Sequence, residues 1–189
     1  MFCIPVGVSN RHVHLSEEHL AVLFREEARL SMFKELKQPG QFAANEKVTI
    51  CGPKGSLEGI RILYPLRGQT QVELSRSDAF ALGLPVCLRQ SGDLKGSPGI
   101  EIIGPAGRIR LEEGAIVAMR HVHMDPLTAE KKGLRDKSII DVETLGVRAL
   151  TFRNVLLRVS SDFVPEFHID RDEANAACLD NGDSVNVLR

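Results

Sequence analysis

The sequence predicts a mainly β protein with short helices, built as two related halves. Three observations carry this: short β-branched runs broken by glycine and proline, a six-residue motif that occurs twice, and helical patterns that are all brief. The runs include Val48–Cys51 followed by Gly52-Pro53-Lys54-Gly55, and Ile100–Ile103 followed by Gly104-Pro105-Ala106-Gly107. Short strands between such turn residues fit small barrels or sandwiches. No glycine signature of a Rossmann or phosphate-binding loop occurs, and no low-complexity linker separates the halves, which are expected to pack closely.

The duplicated motif is Arg11-His12-Val13-His14-Leu15-Ser16, which returns as Arg120-His121-Val122-His123-Met124-Asp125 in a chain with only six histidines. A helix start follows each copy. Ser16 precedes Glu17, Glu18 and the apolar Leu20, Leu23 and Phe24, predicting a helix near residues 17–28. Asp125 precedes Pro126 at a first helical position, predicting a helix over 126–132 that ends near Gly133. A second echo lays Gln71-Val-Glu-Leu-Ser-Arg-Ser-Asp on Glu166-Phe-His-Ile-Asp-Arg-Asp-Glu, so that Glu73 falls on His168. Each of these segments follows an apolar strand-like run, Ile60–Leu63 or Val155–Val159, and leads into a short helix, near 77–82 or 171–179. The two echoes sit at different offsets because the first half carries extra residues, placed in the Lys37–Asn45 loop.

With 189 residues the chain is long enough for one domain or two small ones, and 43% hydrophobic against 26% charged residues marks a globular chain with a real core. A formal net charge of −1 argues against a nucleic-acid surface or a polybasic membrane anchor. One Tyr and no Trp argue against base-stacking platforms. Charged residues arrive at Arg11, too early for a signal peptide, and no apolar run reaches the length of a membrane span, so a cytoplasmic protein is expected. Cys3, Cys51, Cys87 and Cys178 are widely spaced without a C-x-x-C pair, and are read as buried small hydrophobes rather than zinc ligands or disulfides.

In a strand, residues i and i+2 project from one face, so His12 with His14, and His121 with His123, can each share one metal ion. The repeat supplies a third ligand to each pair, Glu73 to the first and His168 to the second. Three imidazole or carboxylate ligands with an open position is the pattern of catalytic zinc, whereas structural zinc is closed by four ligands. His19 has no partner in the second copy and is read as a solvated helix residue. Arg11 and Arg120 read equally as groups that support a ligand, as anion binders, or as members of surface ion pairs. Helix N-termini and nearby Lys34, Arg61 and Arg67 would suit an anionic substrate.

These residues resemble the PduL-type phosphate propanoyltransferases, the phosphotransacylases associated with bacterial microcompartments. The resemblance spans nearly the whole chain and rests on Ile4–Ser16, Lys37–Ala43, Gln71–Glu73, Ser91-Gly92-Asp93, Arg120–His123, and His168–Asp170 through Ala176. It implies two small β-barrels capped by short helices, the N-terminal strand crossing to the C-terminal barrel, with 1–40 and 115–189 in one and 41–114 in the other. It implies one zinc on His12, His14 and Glu73, a second on His121, His123 and His168, and a homodimer. Arg67 matches the phosphate-contacting arginine, and Ser9, Lys34, Arg61, Leu63, His168 and Asn175 match a coenzyme A pocket. The implied reaction moves a propanoyl or acetyl group between coenzyme A and phosphate.

The chain departs from that family at Tyr64, where Gly commonly precedes Pro65, and with a first strand expected to start almost at Met1, encapsulation in a microcompartment is not the expectation. Two other readings compete. A two-metal hydrolase would also use H-x-H pairs, and a barrel whose metals only staple the fold would need no substrate.

Overall fold

The computed structural model describes residues 1–188. Along the chain run β1 (Phe2–Ser9), β2 (His12–His14), α1 (Glu17–Phe24), β3 (Met32–Glu35), β4 (Phe42–Gly52), β5 (Gly55–Tyr64), β6 (Gln71–Leu74), α2 (Arg76–Leu82), β7 (Leu88–Arg89) and β8 (Ile100–Ile103). There follow β9 (Arg108–Leu111), β10 (Ala115–Ala118), β11 (His121–Met124), α3 (Pro126–Lys132), β12 (Ile139–Glu143), β13 (Thr151–Val159), β14 (Glu166–Asp170), α4 (Arg171–Ala177) and β15 (Ser184–Leu188). The chain is mainly β with four short helices, as expected. No helix among the described residues is long and apolar enough to cross a membrane.

Two compact units form, Met1–Asn10 with the residues from Met119 onward, and Arg11–Ala118. In the first, six strands close a barrel in the order β1-β14-β11-β13-β12-β15, with β15 pairing back onto β1. Its core gathers Val6, Val122, Val142, Leu157, Phe167 and Val187. In the second, the order β10-β6-β2-β5-β4-β8 matches the first strand for strand, and each pairing runs in the same sense, parallel for β10 with β6 and for β2 with β5. Here the sheet stays open. The edge of β8 that would meet β10 is occupied by β9, whereas the matching edge of β15 is free to take β1. The result is a curled half-barrel over Val13, Ile50, Ile62, Val72 and Ile102.

The strand ahead of each motif therefore pairs outside the unit that holds the motif: β1 leads into β2 but pairs β14 and β15, and β10 leads into β11 but pairs β6 and β7. This division places residues 11–40 with the second unit rather than with 115–189. The reason lies in β2, bonded between β5 and β6, and in β3, bonded to β4. The extra residues of the first half are likewise more than a loop, since β3 has no counterpart in the barrel and Phe42–Asn45 belong to β4.

Caps set the helices. Ser16 and Asp125 each accept a backbone N–H three residues on, while Ser75 and Asp170 form full capping boxes with Asp78 and Glu173. α1 is shorter than predicted because the Leu23 carbonyl accepts the Ala106 N–H and Arg25 turns to φ 90°. Gly104 makes that contact possible, since a Cβ there would lie 2.5 Å from the Leu23 oxygen. Two readings of single residues need correcting. Cys3 and Cys178 are exposed and Cys51 and Cys87 half-buried, all as free thiols. Cys3 falls on the outward side of β1 between buried Ile4 and the N-terminus, and Cys178 ends α4 in the left-handed region at φ 58°. His19 is not solvated but half-buried, its Nδ1 2.7 Å from the Thr70 hydroxyl, which also accepts the Ser16 N–H.

Candidate metal centres

The first centre is assembled by β2 and the strand beside it. His12 pairs directly with Glu73 across antiparallel β2 and β6, and His14 projects two residues further on. Val13, between them, is fully buried in the opposite direction and pins which face the imidazoles take. His12 Nε2 lies 3.6 Å from Glu73 Oε2 and His14 Nε2 lies 3.8 Å from Oε1. Tetrahedral zinc, with ligand bonds of about 2.0–2.2 Å, sets neighbouring ligand atoms about 3.3–3.6 Å apart, so these donors stand at nearly the spacing an ion needs.

Protonation states fit as well. Burial, then the neighbouring His12 and the charge of Arg67, hold the His14 pKa well below its usual value, leaving a neutral ring with a lone pair. Burial alone would raise the Glu73 pKa, but His12, by charge and contact, followed by His14 and the Ser91 hydroxyl, holds it well below the usual carboxylate range. Neutral imidazole and ionised carboxylate are the forms that bind a metal.

Glu73 is itself held by its neighbours. The Ser91 hydroxyl donates to Oε1 at 2.7 Å, and the Gln71 amide donates to the same oxygen and, at 2.9 Å, to Ser91. The Gly92 N–H fixes the other end of the Gln71 amide. Arg67 joins this network by donating from Nη1 to Ser91 Oγ at 2.9 Å, while its backbone N–H donates to the Leu15 carbonyl at the end of β2. A guanidinium thus stands one hydroxyl away from a candidate metal ligand.

The second centre repeats the plan in the closed barrel. His121 pairs with His168 across antiparallel β11 and β14, and Val122 is fully buried between His121 and His123. The His121 and His168 rings stack at 5.0 Å, His123 lies 4.5 Å from His168, and Phe163 stacks on His123 at 3.9 Å. His121 Nδ1 sits 2.8 Å from the Met119 carbonyl, which can only accept. The proton therefore belongs on Nδ1 and the lone pair on Nε2, the arrangement by which metal-binding histidines are usually oriented. In each centre the three donor atoms lie within 4.8 Å of one another, so both groups could hold an ion.

Beside His168 stands a residue that sequence reasoning did not single out. Glu166, buried, brings Oε2 to 2.8 Å from His168 Nε2. Its signal was present, because Glu166 aligns with Gln71 and lies two positions before a ligand on a strand. Gly7 makes room for it on β1, where a Cβ would come within 2.9 Å of the Glu166 carboxyl carbon. Gln71 and Ser91, which buttress Glu73, carry no sequence signal that marks them for that role.

The remaining candidates fall in separate places. Arg61 is opposite His12 on β5, donates to the Ala44 carbonyl at 2.9 Å and lies 3.6 Å over the Phe33 ring. Leu63 is on the same strand, and Ala43 pairs with both Leu63 and Lys34, so these two lie in one row across β3, β4 and β5, on either side of Ala43. In the barrel unit, Ser9 pairs with Asp170 at the end of β1, and Asn175 is exposed on α4. Burial, opposed only in part by backbone N–H donors, raises the Asp170 pKa to about 6.

Comparison with known proteins matches residues 5–180 to the phosphate propanoyltransferase family. The chain is 56% identical over 186 residues to a phosphate propanoyltransferase of Thermotoga maritima, covering 98% of this chain and 89% of that one. It is 52% identical over 188 residues to one of Rhodopseudomonas palustris, covering 100% and 83%, and 46% identical over 186 residues to one of Clostridioides difficile, covering 98% and 89%. With the family match reaching from the first strand to the end of α4, and identities near one half over the full chain, the chain belongs to the phosphate propanoyltransferase family.

Proposed function

We propose that the chain interconverts a short-chain acyl-coenzyme A plus phosphate with an acyl phosphate plus coenzyme A, using zinc held by His12, His14 and Glu73 and by His121, His123 and His168. The observation that carries this is the Arg67–Ser91–Glu73 chain of hydrogen bonds, which sets an anion-binding guanidinium beside a metal-competent triad. Arg67 binds and orients phosphate through paired N–H donors, the geometry that favours arginine over lysine. One phosphate oxygen forms a bond to the acyl carbon, the carbon–sulfur bond breaks, and coenzyme A leaves as thiolate. Zinc at these ligands would supply Lewis-acid polarisation and positive charge for the departing sulfur. The buried, water-poor setting of His12 and His14 strengthens each of these electrostatic contributions.

Contacts to coenzyme A, in this reading, include Lys34, Arg61 and Leu63 of the half-barrel unit. Support comes from Arg61, whose guanidinium is fixed by Phe33 and the Ala44 carbonyl, and from Lys34, exposed on an edge strand. Propanoyl- and acetyl-coenzyme A are the expected substrates, and a homodimer the expected assembly.

The test is coenzyme A release from acetyl-, propanoyl- and butanoyl-coenzyme A, with and without phosphate, with metal quantified in the same sample. Release that requires phosphate is expected, and chelation should abolish it while far-ultraviolet dichroism stays unchanged. Release without phosphate would make the protein a hydrolase. Loss of fold on chelation, with no activity in the loaded form, would make the metals staples. Arg67→Ala removes a charged contact of about 1.5–3 kcal/mol, so KM for phosphate should rise roughly 10- to 100-fold while KM for the thioester changes little.

A further inference from the structure

Arg11 and Arg120 open the two motifs, and neither is part of a ligand triad. The same device engages both. In α2, the carboxylate of Asp78 divides its oxygens, Oδ2 accepting the N-cap Ser75 N–H at 3.2 Å and Oδ1 meeting Arg11 Nη2 at 2.7 Å. In α4, Glu173 does likewise, Oε2 accepting the N-cap Asp170 N–H at 3.2 Å and Oε1 meeting Arg120 Nη1 at 2.8 Å. Each carboxylate is the N3 residue of a capping box, and each cap lies two positions after a third ligand, Glu73 or His168. Arg120 adds two bonds from Nε and Nη2 to the Arg153 carbonyl at 2.9 and 2.6 Å, reaching β13 on the other side of β11.

We propose that Arg11 and Arg120 are positioning residues, each locking the strand that bears an H-x-H pair to the helix cap that follows the third ligand of the same triad. This rests on the reading that the triads hold metal. The physical argument starts from the register. His12 faces Glu73, and His121 faces His168, across a single antiparallel pairing that is only three residues long in each unit. Ladders that short fix which residues face each other but leave the side chains at their ends to be set by other contacts, and a coordination sphere tolerates only a few tenths of an ångström in its donor positions. Fixing the residue before the first ligand to the helix after the third ligand closes the frame on both sides. Exposed ion pairs do little. Asp78 is 5% exposed, however, and each carboxylate spends both oxygens on defined partners, so the geometry is held at fixed distances.

The experiment follows zinc release from the purified full-length chain into a chromophoric chelator, and the visible spectrum of the cobalt(II)-loaded chain. The wild type should hold two ions per chain. Arg120→Met should release one ion about 10- to 100-fold faster, the range for loss of a ligand's supporting partner, with the other ion leaving at the wild-type rate. Arg11→Met should accelerate the other ion, and each Lys variant should recover part of the loss. Cobalt bands should shift for one site only. Arg11→Met combined with Asp78→Asn should release no faster than Asp78→Asn alone, because the arginine acts through that carboxylate. Should Arg11→Met fail to fold, Arg11→Lys and Asp78→Asn, which keeps an acceptor for the cap, read the same site. Unchanged release in the arginine variants, equal acceleration of both ions, or additive effects in the double variant would overturn the inference. A wild type that binds no metal would overturn the triad reading and this inference with it; two tightly held ions with unaltered release would overturn only the lock.

Discussion

Replacing Ser91 by Ala separates the metal triad from the basic group beside it without touching a ligand. The hydroxyl donates to Glu73 Oε1 at 2.7 Å and accepts from Arg67 Nη1 and Gln71 Nε2, each at 2.9 Å. Its loss leaves Glu73 with the Gln71 amide as a neighbouring donor and leaves Arg67 without that acceptor. A hydrogen bond to a charged group contributes about 1.5–3 kcal/mol. At about 1.4 kcal/mol per tenfold, metal affinity at this centre should fall roughly 10- to 100-fold, the range also typical when a ligand's supporting partner is removed. Phosphate binding should weaken in the same variant, since Arg67 loses the contact that aims it. Zinc competition with a calibrated chelator and the KM for phosphate provide the two readouts. A variant that keeps wild-type values in both would refute the coupling, and a change in phosphate KM alone would confine Ser91 to Arg67.

Two further predictions concern parts of the fold that the chemistry does not touch. A Cβ at Gly52 would lie 2.3 Å from the Leu82 carbonyl oxygen, which already accepts the Lys54 N–H, whereas at Gly55, its hairpin partner, the nearest atom is at 3.4 Å. Gly52→Ala should destabilise by about 1–3 kcal/mol through overpacking and lower Tm by several degrees, and Gly55→Ala should stay close to wild type; equal shifts in thermal unfolding would count against the packing argument. Burial, with the Glu101 carboxylate nearby, raises the Cys51 thiol pKa, so its thiolate fraction at neutral pH is small. Iodoacetamide at pH 7, followed by peptide mass spectrometry, should modify Cys51 more slowly than a free cysteine, and rapid modification would contradict that environment.

Much of the site was legible because its signals are local. An H-x-H on a strand places two candidate ligands on one face by alternation alone, the repeat points to a third by position, and the structure brings all three together in each unit. Two helix starts were legible through Ser16 and Asp125, whose side chains act within three residues. What escaped depends on distant partners. Gly52 and Gly104 read as turn residues, yet their backbone approaches to Leu82 and Leu23 are contacts with helix ends. The cysteines read as buried because composition favours it, but Cys3 follows the alternation of β1 and faces outward. β9 carries no sequence signal that sets it apart from the other strands. Only the pairing shows that it takes the edge of β8 and leaves one sheet open. Arg11 and Arg120 were ambiguous for the same reason, as their carboxylate partners lie on helices far along the chain.

The two centres differ in a way that the shared frame makes interpretable. Positions that hold the frame are alike in both units: a buried valine between the histidines, an arginine before them, and an acidic N3 residue in the capping box. Positions that face the donors are exchanged. The first unit has Gln71 and Glu73 on β6, and the second has Glu166 and His168 on β14, so a carboxylate occurs once in each, at opposite ends of an i, i+2 pair. Each triad therefore has one carboxylate at hand, but in the first it is a candidate ligand and in the second it stands against one, 2.8 Å from His168. With a divalent ion bound, three neutral imidazoles leave its charge uncompensated by ligands, whereas two imidazoles and a carboxylate remove one unit. Loaded with such an ion, the second centre would be the stronger electrophile wherever Glu166 does not screen it, and Gly7 leaves the space in which that carboxylate stands.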